Sequence, residues 1–203
     1  MMHRRNFLQR LTFAGSVAAA GALPYLVSHM LAPAATPVNQ TRLRPPGALR
    51  EDKAFIDACI GCGLCAEVCP PHCILFDRRA GGRGVNVPYI DPEQKGCILC
   101  GKCTKVCPTE ALTEIAIEDI DMGIAQIDRS ACYPWVDRGV CGACVSICPL
   151  GERAIGFRMW NQYRPEVRAG CVGCGLCVEV CPEPSLPIRI VERWQGTVTK
   201  HRV

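Results

Sequence analysis

The stretch Cys59-Ile60-Gly61-Cys62-Gly63-Leu64-Cys65-Ala66-Glu67-Val68-Cys69-Pro70 sets four cysteines at C-x2-C-x2-C-x3-C spacing and ends on proline. The same spacing returns at Cys97, Cys100, Cys103 and Cys107, followed by Pro108, and again at Cys171, Cys174, Cys177 and Cys181, followed by Pro182. Between these lies a stretched copy. Cys132 is followed by an eight-residue insertion at 133–140, then by Cys141, Cys144, Cys148 and Pro149. Four copies of one design make this a repeat protein.

The spacing selects a chemistry. Three cysteines at three-residue intervals let a tight loop wrap one corner of a cuboidal cluster, and C-x2-C-x2-C-x3-C-P is the bacterial four-iron run. Soft thiolates suit iron and sulfide. Glycines inside the loops, such as Gly61 and Gly173, let the backbone come close and aim N–H groups at sulfur. In two-cluster ferredoxins the fourth cysteine ligates the other cluster, which staples two repeats together. Structural zinc uses two well-separated C-x2-C pairs and explains neither the third cysteine nor the proline. A disulfide framework fails because seventeen cysteines cannot all pair.

Sixteen cysteines fill four sites, so the reading gives four [4Fe-4S] clusters. If neighbouring repeats pair, Cys59, Cys62, Cys65 and Cys107 hold the first cluster, and Cys97, Cys100, Cys103 and Cys69 the second. Cys132, Cys141, Cys144 and Cys181 then hold the third, and Cys171, Cys174, Cys177 and Cys148 the fourth. A nested pairing, first repeat with fourth and second with third, is the alternative. Cys73 is the remainder and reads as a small buried apolar residue. Trp135 either shields the third cluster or packs its loop. His72 has no role in iron ligation that cysteine leaves open.

Composition agrees. Of 203 residues, 49% are apolar but only 6% aromatic, and cysteine inflates the first figure. Chains with little to bury need staples or metals. The formal charge of +4 is too mild to indicate nucleic acid. No nucleophile elbow, Walker loop or dinucleotide fingerprint appears. The chemistry expected is outer-sphere electron transfer, without a substrate to transform, so the chain is not read as an enzyme. A structural metal-binding adaptor is the alternative from another class.

The chain opens with Arg4-Arg5-Asn6-Phe7-Leu8, an apolar stretch at 11–31, and Ala32-Pro33-Ala34. A charged start, apolar middle and small-residue exit form an export signal over 1–34. The paired arginines resemble a twin-arginine (Tat) signal. The segment is either cleaved after Ala34 or kept as an anchor. Cleavage would lower the formal charge to +1. Four oxidised clusters with their thiolates, each about −2, would then leave a mature protein near about −7.

Residues 35–53, with Pro37, Pro45, Pro46 and Gly47, read as a tether, and the ordered body is expected from Ala54. Module one spans 54–128 and module two 129–203, each an α+β bacterial two-cluster ferredoxin-like unit. Short helices are expected at 64–69, 102–107, 143–148 and 176–181, each stopped by proline. Short strands are expected at 74–76, 85–90, 154–159 and 188–191, with a hairpin turn at 81–84. A second hairpin is read at 111–117 and 123–127. The run 158–168 reads as a polar linker with packed aromatics.

The leader, the Arg44-Pro45-Pro46-Gly47-Ala48 segment, the order of the cysteine runs and the stretched third run with Cys141-Gly142-Ala143-Cys144 together resemble the NapG/MauM family of ferredoxin-type proteins. The resemblance implies a periplasmic, Tat-exported carrier of four [4Fe-4S] clusters, free or bound at the periplasmic face of the membrane. It implies electrons taken from a membrane quinol-oxidising ferredoxin-like partner of the NapH/MauN type. They would pass toward a periplasmic reductase such as nitrate reductase, or its cytochrome donor. The alternative is a subunit of another respiratory or methylamine-utilisation complex. Cys73 departs from the pattern.

Overall fold

The repeats dictate short elements. Each cysteine loop ends on a glycine that starts a helix, and each helix must stop before a Cys-Pro step, because proline disfavours the helical region at the residue before it. A computed structural model describes residues 42–76, 85–158 and 163–191. Four helices of four or five residues follow the loops: α2 (Leu64–Glu67), α3 (Lys102–Lys105), α4 (Ala143–Ile147) and α5 (Leu176–Glu179). Gly63, Gly101 and Gly175 precede three of them in the left-handed region. Helix α1 (Asp52–Ala58), which sequence reading missed, leads into the first loop. Short 3-10 turns lie at Ile117–Asp119 and Gly151–Arg153.

Among the described residues, three two-stranded antiparallel sheets complete the framework. Strand β1 (Ile74–Phe76) pairs with β2 (Pro88–Ile90). Strand β3 (Ile124–Ile127) pairs with β6 (Ile188–Val191), and β4 (Ile155–Arg158) with β5 (Arg164–Val167). In β6, Ile188 and Ile190 are buried and Arg189 is exposed, the alternation of a strand with one wet face.

Several expectations need correction. Residues 111–117 form no strand; β3 pairs with β6 instead, so the expected second hairpin does not exist. Apolar content there is real, but Ala111 and Leu112 are spent lining the first thiol site. A division at 128/129 separates β3 from its partner, so the second half already begins at β3. The run read as a polar linker carries β5, in register with β4 from Ile155↔Val167 to Arg158↔Arg164. The body also begins before Ala54. Leu43 exchanges both backbone hydrogen bonds with Ile90, at 2.9 and 2.7 Å, and Ala48 bridges Leu112. Proline fixes φ in the extended range, and such backbone can line a sheet edge as readily as it can form a tether. The expected export signal and the turn at 81–84 lie outside the described residues.

Helix α1 is anchored by Phe55, fully buried beneath the Arg44 guanidinium, whose carbon lies 4.8 Å from the ring centroid. Arg44 also pairs with Asp52 and donates to the Pro88 carbonyl. Cysteines make up much of the remaining core, including Cys65, Cys69, Cys73, Cys97, Cys103 and Cys177.

Candidate iron–sulfur sites

The loops gather the sixteen repeat cysteines into four groups. Cys59, Cys62 and Cys65 line one cavity with Cys107, which arrives from beyond α3. Phe55, Phe76, Pro88 and Leu112 make its apolar wall. Cys97, Cys100 and Cys103 line a second cavity with Cys69 from the end of the first repeat. Cys171, Cys174 and Cys177 line another with Cys148, walled by Ala125, Ile155, Val172 and Ile190. The thiol of Cys144 feels the charges of Cys132, Cys141 and Cys181, and that of Cys132 feels Cys141 and Cys181, which places these four together. Each group therefore takes three cysteines from one repeat and one from its neighbour. Cys181 lies with the third repeat and not the first, so the arrangement is the neighbour pairing and not the nested one.

Burial and mutual repulsion dominate the electrostatics. Burial, then the charges of Cys59 and Cys62, push the Cys65 thiol up to about 11. Burial, then Cys97 and Cys100, push Cys103 to about 12. Burial, then Cys132 and Cys141, do the same to Cys144. Burial raises Cys177 well above its ordinary value, aided by Cys174 and Cys171. Crowded, buried thiols give up protons only in exchange for cationic charge, which is how metal binding couples to thiol ionisation. Some sulfurs also receive backbone donors. The N–H of Ala125 points at Cys171 Sγ and that of Leu99 at Cys97 Sγ, both at 3.4 Å. Among the described residues, no three His, Cys, Asp or Glu side chains are arranged to hold a single metal ion. Four thiols spread around one apolar cavity fit a multi-iron cube better than a tetrahedral ion at about 2.3 Å from each sulfur.

The second repeat departs instructively. Leu99 stands where the first and last repeats have Gly61 and Gly173, yet all three share left-handed backbone, with φ of 58°, 65° and 74°. A left-handed residue with a side chain costs roughly 1–2 kcal/mol. Leu99 is buried, and that burial offsets the cost. The loop geometry is thus held even where glycine is absent.

The third repeat keeps its group despite the insertion, because the inserted loop is tied down at several points. Trp135 Nε1 donates to the Pro165 carbonyl at 3.1 Å, and its ring lies under Arg129 at 4.1 Å and Arg164 at 5.2 Å. Arg164 also donates to the Pro134 carbonyl and to Asp137. The Tyr133 hydroxyl bonds the Glu183 carboxylate, which holds that carboxyl below its ordinary range. Trp135 therefore packs the loop onto β5. His72 is exposed in a turn of left-handed backbone.

The two halves meet between the second and fourth repeats. Cys97 N–H donates to the Cys174 carbonyl at 2.7 Å. Glu179 accepts from Lys95 Nζ at 2.7 Å and from Gly96 N–H at 2.8 Å. Burial works against the Glu179 carboxylate, but Lys95 and the Gly96 N–H outweigh it and hold its pKa low. A depressed carboxyl stabilises the fold above its unfolded pKa, and that contribution is lost as pH falls through the folded value. Glu179→Gln is therefore expected to cost about 1 kcal/mol at pH 7. Thermal unfolding under anaerobic conditions should show wild type and variant converging as the pH is lowered below the ordinary carboxylate range, through the folded value. A gap that persists well below the ordinary carboxylate range would exclude this account. Nothing in the sequence marked this junction, because its partners lie over eighty residues apart and Lys, Gly and Glu carry no pattern.

Three repeat-spanning thiol pairs, Cys65 with Cys103, Cys97 with Cys174, and Cys144 with Cys177, feel one another's charge. The groups thus adjoin in the order first, second, fourth, third. This is the design of tandem two-cluster ferredoxin domains. A 4Fe-4S dicluster domain family matches residues 58–111, and a second family of the same description matches 87–149 and 124–182. The methylamine utilization ferredoxin-type protein MauM of Methylobacillus flagellatus is 34% identical over 95% of this chain and 85% of its own length. The ferredoxin-type protein NapG of Escherichia coli is 32% identical over 98% of this chain and 90% of its own. The chain belongs to the NapG/MauM family of ferredoxin-type proteins, iron–sulfur electron carriers with [4Fe-4S] clusters. A shorter match, 36% over 30% of this chain, is to the ferredoxin-type protein MauN of Methylobacillus flagellatus, of which it covers 22%.

Proposed function

We propose that this protein carries four [4Fe-4S] clusters, one on each thiol group, and works as a periplasmic, Tat-exported electron carrier rather than an enzyme. The observation that carries the reading is the gathering of sixteen cysteines into four groups, each closed by a cysteine from the neighbouring repeat. When bound, such clusters supply one-electron transfer at potentials set by hydrogen bonds to sulfur, charge and exposure. The chain's part is to hold and space them. The first repeat ends the row of groups, and its Cys62 is exposed between exposed Ile60 and Leu64, which suits it to a partner. The third repeat, with exposed Val140 and Arg138 on its clamped loop, is the other terminus.

The proposed donor is a membrane quinol-oxidising ferredoxin-like protein of the NapH/MauN type. The proposed acceptor is a periplasmic reductase such as nitrate reductase, or its cytochrome donor. The twin-arginine leader supports the location, since Tat carries proteins already folded around their cofactors. The methylamine-utilization relatives match as well as the NapG relatives, so a subunit of a methylamine-utilisation complex is the second reading.

Anaerobically purified protein should hold about 16 iron and 16 sulfide per chain. Quinol should reduce it in membranes that contain the membrane partner and not in membranes that lack it. Stoichiometric zinc, or reduction that does not need the partner, would reject the reading.

A further inference from the structure

The second thiol group has a fifth member. Cys73 lines the same cavity as Cys69, Cys97, Cys100 and Cys103. It is 2% exposed, and its Sγ lies 3.5 Å from that of Cys69. The placement follows from local structure. His72 N–H donates to the Cys69 carbonyl, closing a turn in which His72 adopts left-handed backbone, and β1 begins at the next residue but one. That turn swings Cys73 back over Cys69. The corresponding positions four residues beyond Cys107, Cys148 and Cys181 are Ala111, Glu152 and Ser185, so no other repeat carries such a thiol.

From this fifth cavity-facing thiol we infer that Cys69 and Cys73 are interchangeable as the ligand that the first repeat lends to the second cluster. The inference rests on the cluster reading above. In the exchange, the iron–sulfur bond to Cys69 breaks as one to Cys73 forms. Cys73 gives up its proton and the released Cys69 sulfur takes one, so no electron is gained or lost. Only a change of side-chain direction is needed, because the two sulfurs already touch. The second cluster alone then survives loss or chemical modification of a ligand. It is also one of the two clusters at the contact between the halves, where a gap would interrupt the row.

The test uses the full holoprotein, purified anaerobically, as wild type, Cys69→Ala, Cys73→Ala, the double variant, and Cys100→Ala as a ligand without a substitute. Iron, acid-labile sulfide and the electron paramagnetic resonance of the reduced protein are measured. Cys69→Ala is expected to retain the wild-type iron with altered g-values. Cys73→Ala should retain both the iron and the g-values. The double variant and Cys100→Ala should each lose up to about a quarter of the iron. Should the double variant fail to fold, the single variants still decide. Iron loss in Cys69→Ala equal to that in Cys100→Ala would overturn the inference, as would iron loss in Cys73→Ala alone. A wild-type chain without iron would overturn the cluster reading and this inference together.

Discussion

Gly96→Val is expected to destabilise the loaded protein by about 3 kcal/mol and to split one thermal transition into two. Gly96 is buried at the contact between the halves. A Cβ there would lie 2.5 Å from the Leu176 nitrogen, 2.7 Å from its Cα and 2.8 Å from the Gly175 carbonyl carbon. All three are backbone atoms and cannot swing aside. Relief requires the second repeat to draw away from the fourth. That breaks the Cys97 bond to Cys174 and pulls the Gly96 N–H off Glu179. Overpacking a tight site costs typically 1–3 kcal/mol, and a lost buried hydrogen bond adds about 1. Anaerobic calorimetry reads the result. A single transition at the wild-type temperature would show that the halves do not depend on this contact.

Phe55→Ala should cost about 4 kcal/mol and make the first site the earliest to lose iron. The ring is fully buried, caps the first thiol cavity, and receives the Arg44 guanidinium on its face. Truncation removes the largest side chain of α1 from the core and opens a path for water beside Cys59 and Cys107. It also leaves Arg44 without a surface to cover. Phe55→Leu should recover most of the stability, since it keeps apolar volume. Denaturant unfolding gives the energy, and the rate of bleaching in air gives the iron loss. Equal bleaching rates in Phe55→Ala and wild type would show that the ring does not seal the site.

The site was far more legible than the fold. Cysteine has few reasons to recur at fixed short intervals, so Cys59 to Pro70 declared its chemistry and its helix stop together. The short helices and strands β1, β2, β4 and β6 followed from local runs. What failed was pairing at a distance. The stretch at 111–117 looked like a strand because it is partly apolar, but the strand that sought a partner was β3, and it found β6 far along the chain. β5 was hidden because Arg164, Pro165 and Glu166 do not look like a strand, and its stability comes from register with β4 and the Trp135 clamp. The proline-rich stretch around Leu43 was misread for a related reason. Extended backbone has the same composition whether it runs free or along a sheet edge. The choice between neighbour and nested pairing also needed three dimensions, since both satisfy the same spacing.

The β3–β6 pairing has a consequence for how the protein is made. Every cysteine precedes β6, so all the thiols are synthesised before the strand that closes the second half. Long-range pairing of this kind is slow to form, because the loop entropy must be lost first. The second half therefore stays open until β6 arrives, while the first half already holds its own sheet through β1, β2 and the Leu43 bridge and gains its contacts with the fourth repeat later. Assembly proceeds from the front of the chain to the back. The last act of folding is a sheet that shuts on sites needing to be filled by then.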